Sequence, residues 1–184
     1  SGERLGQEMI KILRAPVPSP TLATMQQTGV LARVLPGADV TLVGPVVAGA
    51  ARLGLAPDWV LRLAALGGQD VANHLRLSKA DARRLELIRM QGFAGAPLAE
   101  VAYRHGSRVG EATLILRAVL SNAPPAFEEM DLIARASAAK FPVAAVDLMP
   151  GLQGPALGAK LKALEEAWIA SEFAMTRAEL LAEI

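Results

Sequence analysis

Cysteine is absent from the 184 residues, so no disulfide framework, thiolate metal site or cysteine nucleophile can be built. This fits a reducing compartment, and a cytoplasmic setting is expected. Histidine occurs only twice. Neither His74 nor His105 belongs to a spaced metal motif such as H-E-x-x-H, and no Ser-His-acid order can be picked out, so both read as structural. No P-loop and no G-x-G-x-x-G is present. The most apolar uncharged run, residues 40–51, falls far short of the roughly 20 residues a bilayer span needs and contains Pro45, so no transmembrane helix is expected. Strand formers are scarce, and no segment alternates apolar and polar residues long enough to support a sheet. The chain opens with neither an initiator Met nor a basic-then-apolar signal pattern, which reads as a segment cut from a longer protein.

What is abundant is Ala and Leu, about a third of the chain together, and both favour helix. The expectation is an all-α, multi-helix assembly of short helices. Leu5, Met9 and Ile12 share one side of a helix over residues 3–13, ended by the Pro-containing stretch 15–20. Ser19-Pro20 and Gly29 bracket a second helix over 21–28. Further helices read at 30–35, 41–53, 57–66, 71–75, 79–91, 98–105, 108–121 and 125–140. Ser78 and Asp81 form the cap pair of the helix at 79–91, and Gly92 is expected to close it. After the Gly/Pro cluster at 150–155 comes the clearest helix, with Leu157, Leu161, Leu164 and Trp168 in a helical stripe and Lys162 facing Glu166 across a turn. Thr176 and Glu179 cap a last helix ending near Ala182. Trp59 and Trp168, each in an apolar stripe, are expected in the core.

Net charge is +1, unevenly divided: residues 1–92 carry 11 basic and 7 acidic side chains, residues 93–184 carry 8 and 11. The first half is the better face for a polyanion, although ordinary solvated helices carry such charges too. Nucleotidyl transfer needs rigid carboxylates holding divalent cations near the phosphates. The nearest string, Glu128-Glu129-Met130-Asp131, lies within a helix without a neighbouring Gly-rich loop, and reads as a solvated face. No catalytic residue, metal ligand or cofactor site is assigned.

A set of words in order is more specific. Glu3-Arg4, Glu8-Met9-Ile10-Lys11-Ile12-Leu13, Ala15-Pro16 and Met25-Gln26-Gln27-Thr28-Gly29-Val30-Leu31 come first. Val34-Leu35-Pro36, Pro57-Asp58-Trp59-Val60-Leu61-Arg62-Leu63-Ala64-Ala65-Leu66, Leu77-Ser78 and Tyr103-Arg104-His105-Gly106 follow. The tail adds Phe141-Pro142-Val143, Asp147-Leu148-Met149, Gly154-Pro155 with Leu157-Gly158, and Leu164-Glu165-Glu166-Ala167-Trp168-Ile169. Together these resemble the C-terminal body and tail of bacterial tRNA nucleotidyltransferases (CCA-adding enzymes) and poly(A) polymerases. The resemblance implies a body-like helical RNA-binding region at 1–92, connecting helices at 93–140 and a smaller tail-like helical region at 141–184. It further implies a parent enzyme whose head and neck, outside this sequence, bind Mg2+ with ATP or CTP. The family's acidic–Asp-x-x-Arg word is absent; Asp81-Ala82-Arg83-Arg84 imitates its spacing but falls in the body-like helix. Ala144, Ala145 and Val146 stand where similar proteins often have Ser, Gly and a basic residue.

The expected function is therefore RNA gripping, with tRNA the favoured partner, CCA addition the favoured parent activity and poly(A) addition the alternative. Alone, this chain is expected to be inactive in transfer. A helical protein-interaction scaffold is the rival reading. Arg76, Lys79, Arg83 and Arg84 are the first RNA-binding candidates, Lys79 and Arg83 lying one helical turn apart. Gly154, Gly158 and Lys160 form a second, at a helix start whose free amides can receive a phosphate, with tight helix packing the competing reading of Gly158. Arg4 and Glu8 are read either as a local i, i+4 pair or, by the resemblance, as bracing the neck.

Overall fold

The computed structural model describes residues 2–149 and 151–182. Ser1 at the opening, Pro150 of the Gly/Pro cluster, and Glu183 and Ile184 at the end of the tail-like region lie outside the described residues. Among the described residues there are thirteen helices and no strand, so the all-α expectation holds. The helices are α1 (Gly2–Arg14), α2 (Ser19–Gln27), α3 (Val30–Val34), α4 (Val43–Arg52), α5 (Trp59–Leu66), α6 (Val71–His74), α7 (Lys79–Ala94), α8 (Leu98–His105), α9 (Ser107–Leu120), α10 (Glu128–Ala138), α11 (Ala145–Leu148), α12 (Gly154–Ala170) and α13 (Arg177–Ala182). No helix among the described residues is long and apolar enough to cross a membrane.

Helix α5 organises the first core. Asp58 caps it, its carboxylate accepting from the amides of Val60 (3.0 Å) and Leu61 (3.4 Å). Every residue from Val60 to Leu66 is buried, Arg62 included. A lone arginine in such a helix must be satisfied internally. Arg62 Nη1 donates to the carbonyls of Leu13 and Ala15, both at 2.6 Å, and so closes the C-terminus of α1. Trp59, expected in the core, stands half-buried at its margin, with the Arg14 guanidinium 5.8 Å from the ring centroid. Met9 and Leu13 of α1 enter this core, and the helix backbone rests on the segment after α6. A Cβ at Gly6 would lie 2.0 Å from the Leu75 carbonyl oxygen.

Helix α7 starts as its sequence dictates: Ser78 Oγ accepts from the Asp81 amide at 3.1 Å. It does not stop at Gly92 but runs to Ala94. Gly92 is buried against α9, and a Cβ there would meet Leu116 at 2.4 Å, so this glycine permits close packing instead of termination. The end comes at Gly95, in extended conformation. There Arg117 donates to the Gln91 and Ala96 carbonyls at 2.7 to 3.0 Å and holds the turn.

The first core takes side chains from both sides of residue 92, including Val101, Val109, Ile115 and Leu116. A small cluster of Ala102, Leu114, Ile133 and Ala136 joins α8, α9 and α10. The tail has its own cluster: Val143, Leu148, Leu164, Trp168, Ile169 and Leu180, with Leu157 and Leu161 packed against it. Trp168 is buried there, edge-on to Tyr103 (5.6 Å) and Phe173 (4.9 Å). Tyr103 Oη donates to Glu165 at 2.7 Å, and Arg104 faces the same carboxylate at 3.6 Å, which fastens the tail to α8. The Lys162–Glu166 pair forms at 3.7 Å, and Thr176 and Glu179 exchange cap hydrogen bonds.

Candidate nucleic-acid interface

The turn between α6 and α7 presents the first cations. Helix α6 ends by donating the Arg76 amide to Asn73 (3.3 Å) and the Leu77 amide to Ala72 (3.0 Å), which turns Arg76 into the left-handed region at φ 50°. Leu75 is buried beneath α1 and Leu77 packs on the core, so Arg76 between them is exposed. Its Cγ and Nε lie 3.6 Å from where a Gly2 Cβ would stand. The first turn of α1 and the Arg76 side chain thus form one surface.

From Ser78 onward α7 carries Lys79 and Arg83, both exposed, and they line one groove with Arg89. At about 630 Å³ this groove is sized for a small group, not for a folded domain. Val71 and Leu85 are buried at its floor, and Met90, 54% exposed, stands at its mouth. Arg89 Nη2 is buried with no hydrogen-bond partner. Burial pulls the Arg89 pKa down from its ordinary value, yet a guanidinium keeps its proton at neutral pH. A buried charged donor without an acceptor is costly. Asp70 and Glu86 also line the groove; Asp70 accepts from the Asn73 amide group at 2.7 Å.

Arg84 does not join this surface. One position past Arg83, it points about 100° further round the helix, towards α5. It pairs there with Asp58, Nη1 at 3.1 Å and Nη2 closer still, both side chains only 18% exposed. Arg84, expected on the RNA surface, is engaged in this structure as a clasp between α5 and α7. Arg89 is the cation the sequence did not single out. Nothing in the spacing of Lys79, Arg83, Arg84 and Arg89 tells which side of α7 meets α5.

Glu8 pairs with Lys11 at 2.7 Å, so the local Arg4–Glu8 pair does not form, and Arg4 is exposed on α1. Gly154, Gly158 and Lys160 all lie on α12, in the tail and on a different element from the groove. Gly154 has φ 57°, and neither it nor Gly158 has an atom within 4 Å of a built Cβ. Tight packing at Gly158 is therefore excluded, and the α12 start is open, with no acidic side chain in its first turn. Lys160 is half-buried. Glu128, Glu129 and Asp131 occupy the first turn of α10, where they complement the helix dipole. Among the described residues, no group of three or more His, Asp or Glu side chains could hold a metal ion. His74 Nδ1 lies 2.9 Å from the Asp70 carbonyl oxygen, a structural contact.

Residues 1–42 match the family model described as "Probable RNA and SrmB-binding site of polymerase A". That match is consistent with the C-terminal region of the poly(A) polymerase and CCA-adding family, and it spans α1 to α3. Comparison with curated proteins and with solved structures returned no match for the chain. The matched segment includes Arg4 and Glu8 but stops before the groove. Contact between α1 and the 75–76 turn is what joins the two.

Proposed function

We propose that this chain positions tRNA for a template-independent 3′-end nucleotidyltransferase, CCA addition being favoured over poly(A) addition, in the cytoplasm. The observation that carries this reading is the seating of α1, within the RNA-binding match, on Leu75 and Arg76, next to the exposed cations Lys79 and Arg83. Such side chains meet backbone phosphates and fix the register of an RNA without reading its bases. Arg4, exposed on the same helix, extends this surface or braces a neck. By the family resemblance, head and neck domains outside this sequence would supply the metal-holding carboxylates and the nucleotide site.

The test is filter binding of tRNA across a salt series. Each phosphate that a cation no longer neutralises lowers the slope of log K against log salt by roughly 0.7–0.9. Replacing Arg76, Lys79 and Arg83 together by Ala should flatten the slope by about 2 and weaken binding at low salt. An unchanged slope overturns the assignment, and absence of binding above nonspecific background favours the protein scaffold.

A further inference from the structure

We infer that the groove between α6 and α7 receives a single unpaired nucleotide of the bound RNA, its phosphate on Arg89, Arg83 and Lys79 and its base over Val71, Leu85 and Met90. This rests on the RNA-binding reading and adds the form of RNA that the site takes. Three features of the groove point the same way. Lys79 and Arg83 stand exposed along the groove and Arg89 lines it, so three cationic side chains surround the place a phosphate would take. Met90, exposed at the mouth, offers apolar surface that a bare phosphate would leave wet and the face of a base covers. Its volume, about 630 Å³, lies in the range of roughly 300–1,000 Å³ typical of small-ligand sites.

The acidic side chains decide against a bare anion as the natural occupant. Glu86, exposed at the groove, repels an anion and is an acceptor, and a backbone phosphodiester has no proton to give it. The exocyclic amino group of adenine does. Three cationic side chains, the exposed Glu86 carboxylate beside an Asp70 already bonded to Asn73, and the apolar Met90 match a nucleotide, anionic at one end and flat with an amino edge at the other. A paired base cannot present this combination, because its face is stacked and its amino group is engaged. A looped-out or single-stranded nucleotide can.

The experiment is fluorescence anisotropy of the whole chain with two labelled RNA hairpins, one fully paired and one carrying a single bulged adenosine. The chain should bind the bulged hairpin about tenfold more tightly, equivalent to about 1.4 kcal/mol. Arg89→Met, which keeps the side chain's length, and Ala82→Glu, which places a carboxylate on the groove wall, should each bring the two affinities within about twofold. Circular dichroism melts identify a variant that fails to fold, and the second variant then decides. Equal affinity of the unaltered chain for both hairpins overturns the inference while leaving RNA binding intact, as does a preference that survives in either folded variant. Failure to bind either hairpin in a salt-dependent way overturns the RNA reading itself, and this inference with it.

Discussion

Asp58→Ala removes a helix cap and one end of an ion pair in a single step, and so measures how firmly α7 is held to α5. The cap contributes about 1 kcal/mol. Breaking an ion pair costs about 0–1 kcal/mol at an exposed site and about 3–5 kcal/mol at a buried one. With both side chains 18% exposed, the Asp58–Arg84 pair falls between, at about 2 kcal/mol. Arg84 Nε is already buried without an acceptor, and Glu111, close enough to feel the Arg84 charge, offsets only part of the loss. Asp58→Ala should therefore cost about 3 kcal/mol, or about 6–12 °C in Tm for a chain of this size. Asp58→Asn keeps an oxygen for the Val60 and Leu61 amides and should cost about 2 kcal/mol, as should Arg84→Met. In urea melts, the double variant Asp58→Asn/Arg84→Met should be less destabilised than the two singles added, by about 1–2 kcal/mol. Additivity within about 0.3 kcal/mol would refute the clasp. A tRNA salt slope lowered by Arg84→Met alone, with folding intact, would return Arg84 to the RNA surface.

Gly6→Val drives a side chain into the Leu75 carbonyl, 2.0 Å from the built Cβ, and should lift α1 from the 75–76 turn; a loss of about 3 kcal/mol in thermal or urea unfolding checks this. Thr113 is fully buried and its hydroxyl has no partner, so Thr113→Val should raise stability by about 1 kcal/mol, and a lower urea midpoint would contradict it. Burial, then the hydrogen bond to Glu165, pushes the Tyr103 pKa up to about 12. Its neutral form is the one folding favours, so its contribution is complete below the unfolded value near 10 and is lost as pH rises through about 12. Melting profiles of the unaltered chain and Tyr103→Phe should converge across that window, while an undiminished gap at pH 12 would contradict the clasp of tail to α8.

The helices with caps and stripes of their own were legible because their signals are local. Ser78 with Asp81, Thr176 with Glu179, and the Leu157-to-Trp168 stripe each report on one turn or one face of one helix. Gly92 shows the limit of such signals. A glycine that ends a helix and one that admits a neighbour's Leu116 look alike until the neighbour is known. Facing is likewise a tertiary property: Arg83 and Arg84 are adjacent in sequence, yet one meets solvent and the other meets Asp58. Arg62 did carry a readable signal, as the lone charge in an apolar helix, which demands an internal acceptor. Arg89 carried none, because its role depends on the groove that α6 and α7 form together.

Whether RNA lies on the face that α1 shares with the start of α7 is decided by cross-linking bound tRNA to the intact chain, with mass spectrometry of the attached peptides as the readout. Attachment is expected within residues 2–14 and 76–90. Attachment confined to the tail helices or to the surface of α10, with those two segments unmarked, would contradict the placement of RNA on this face.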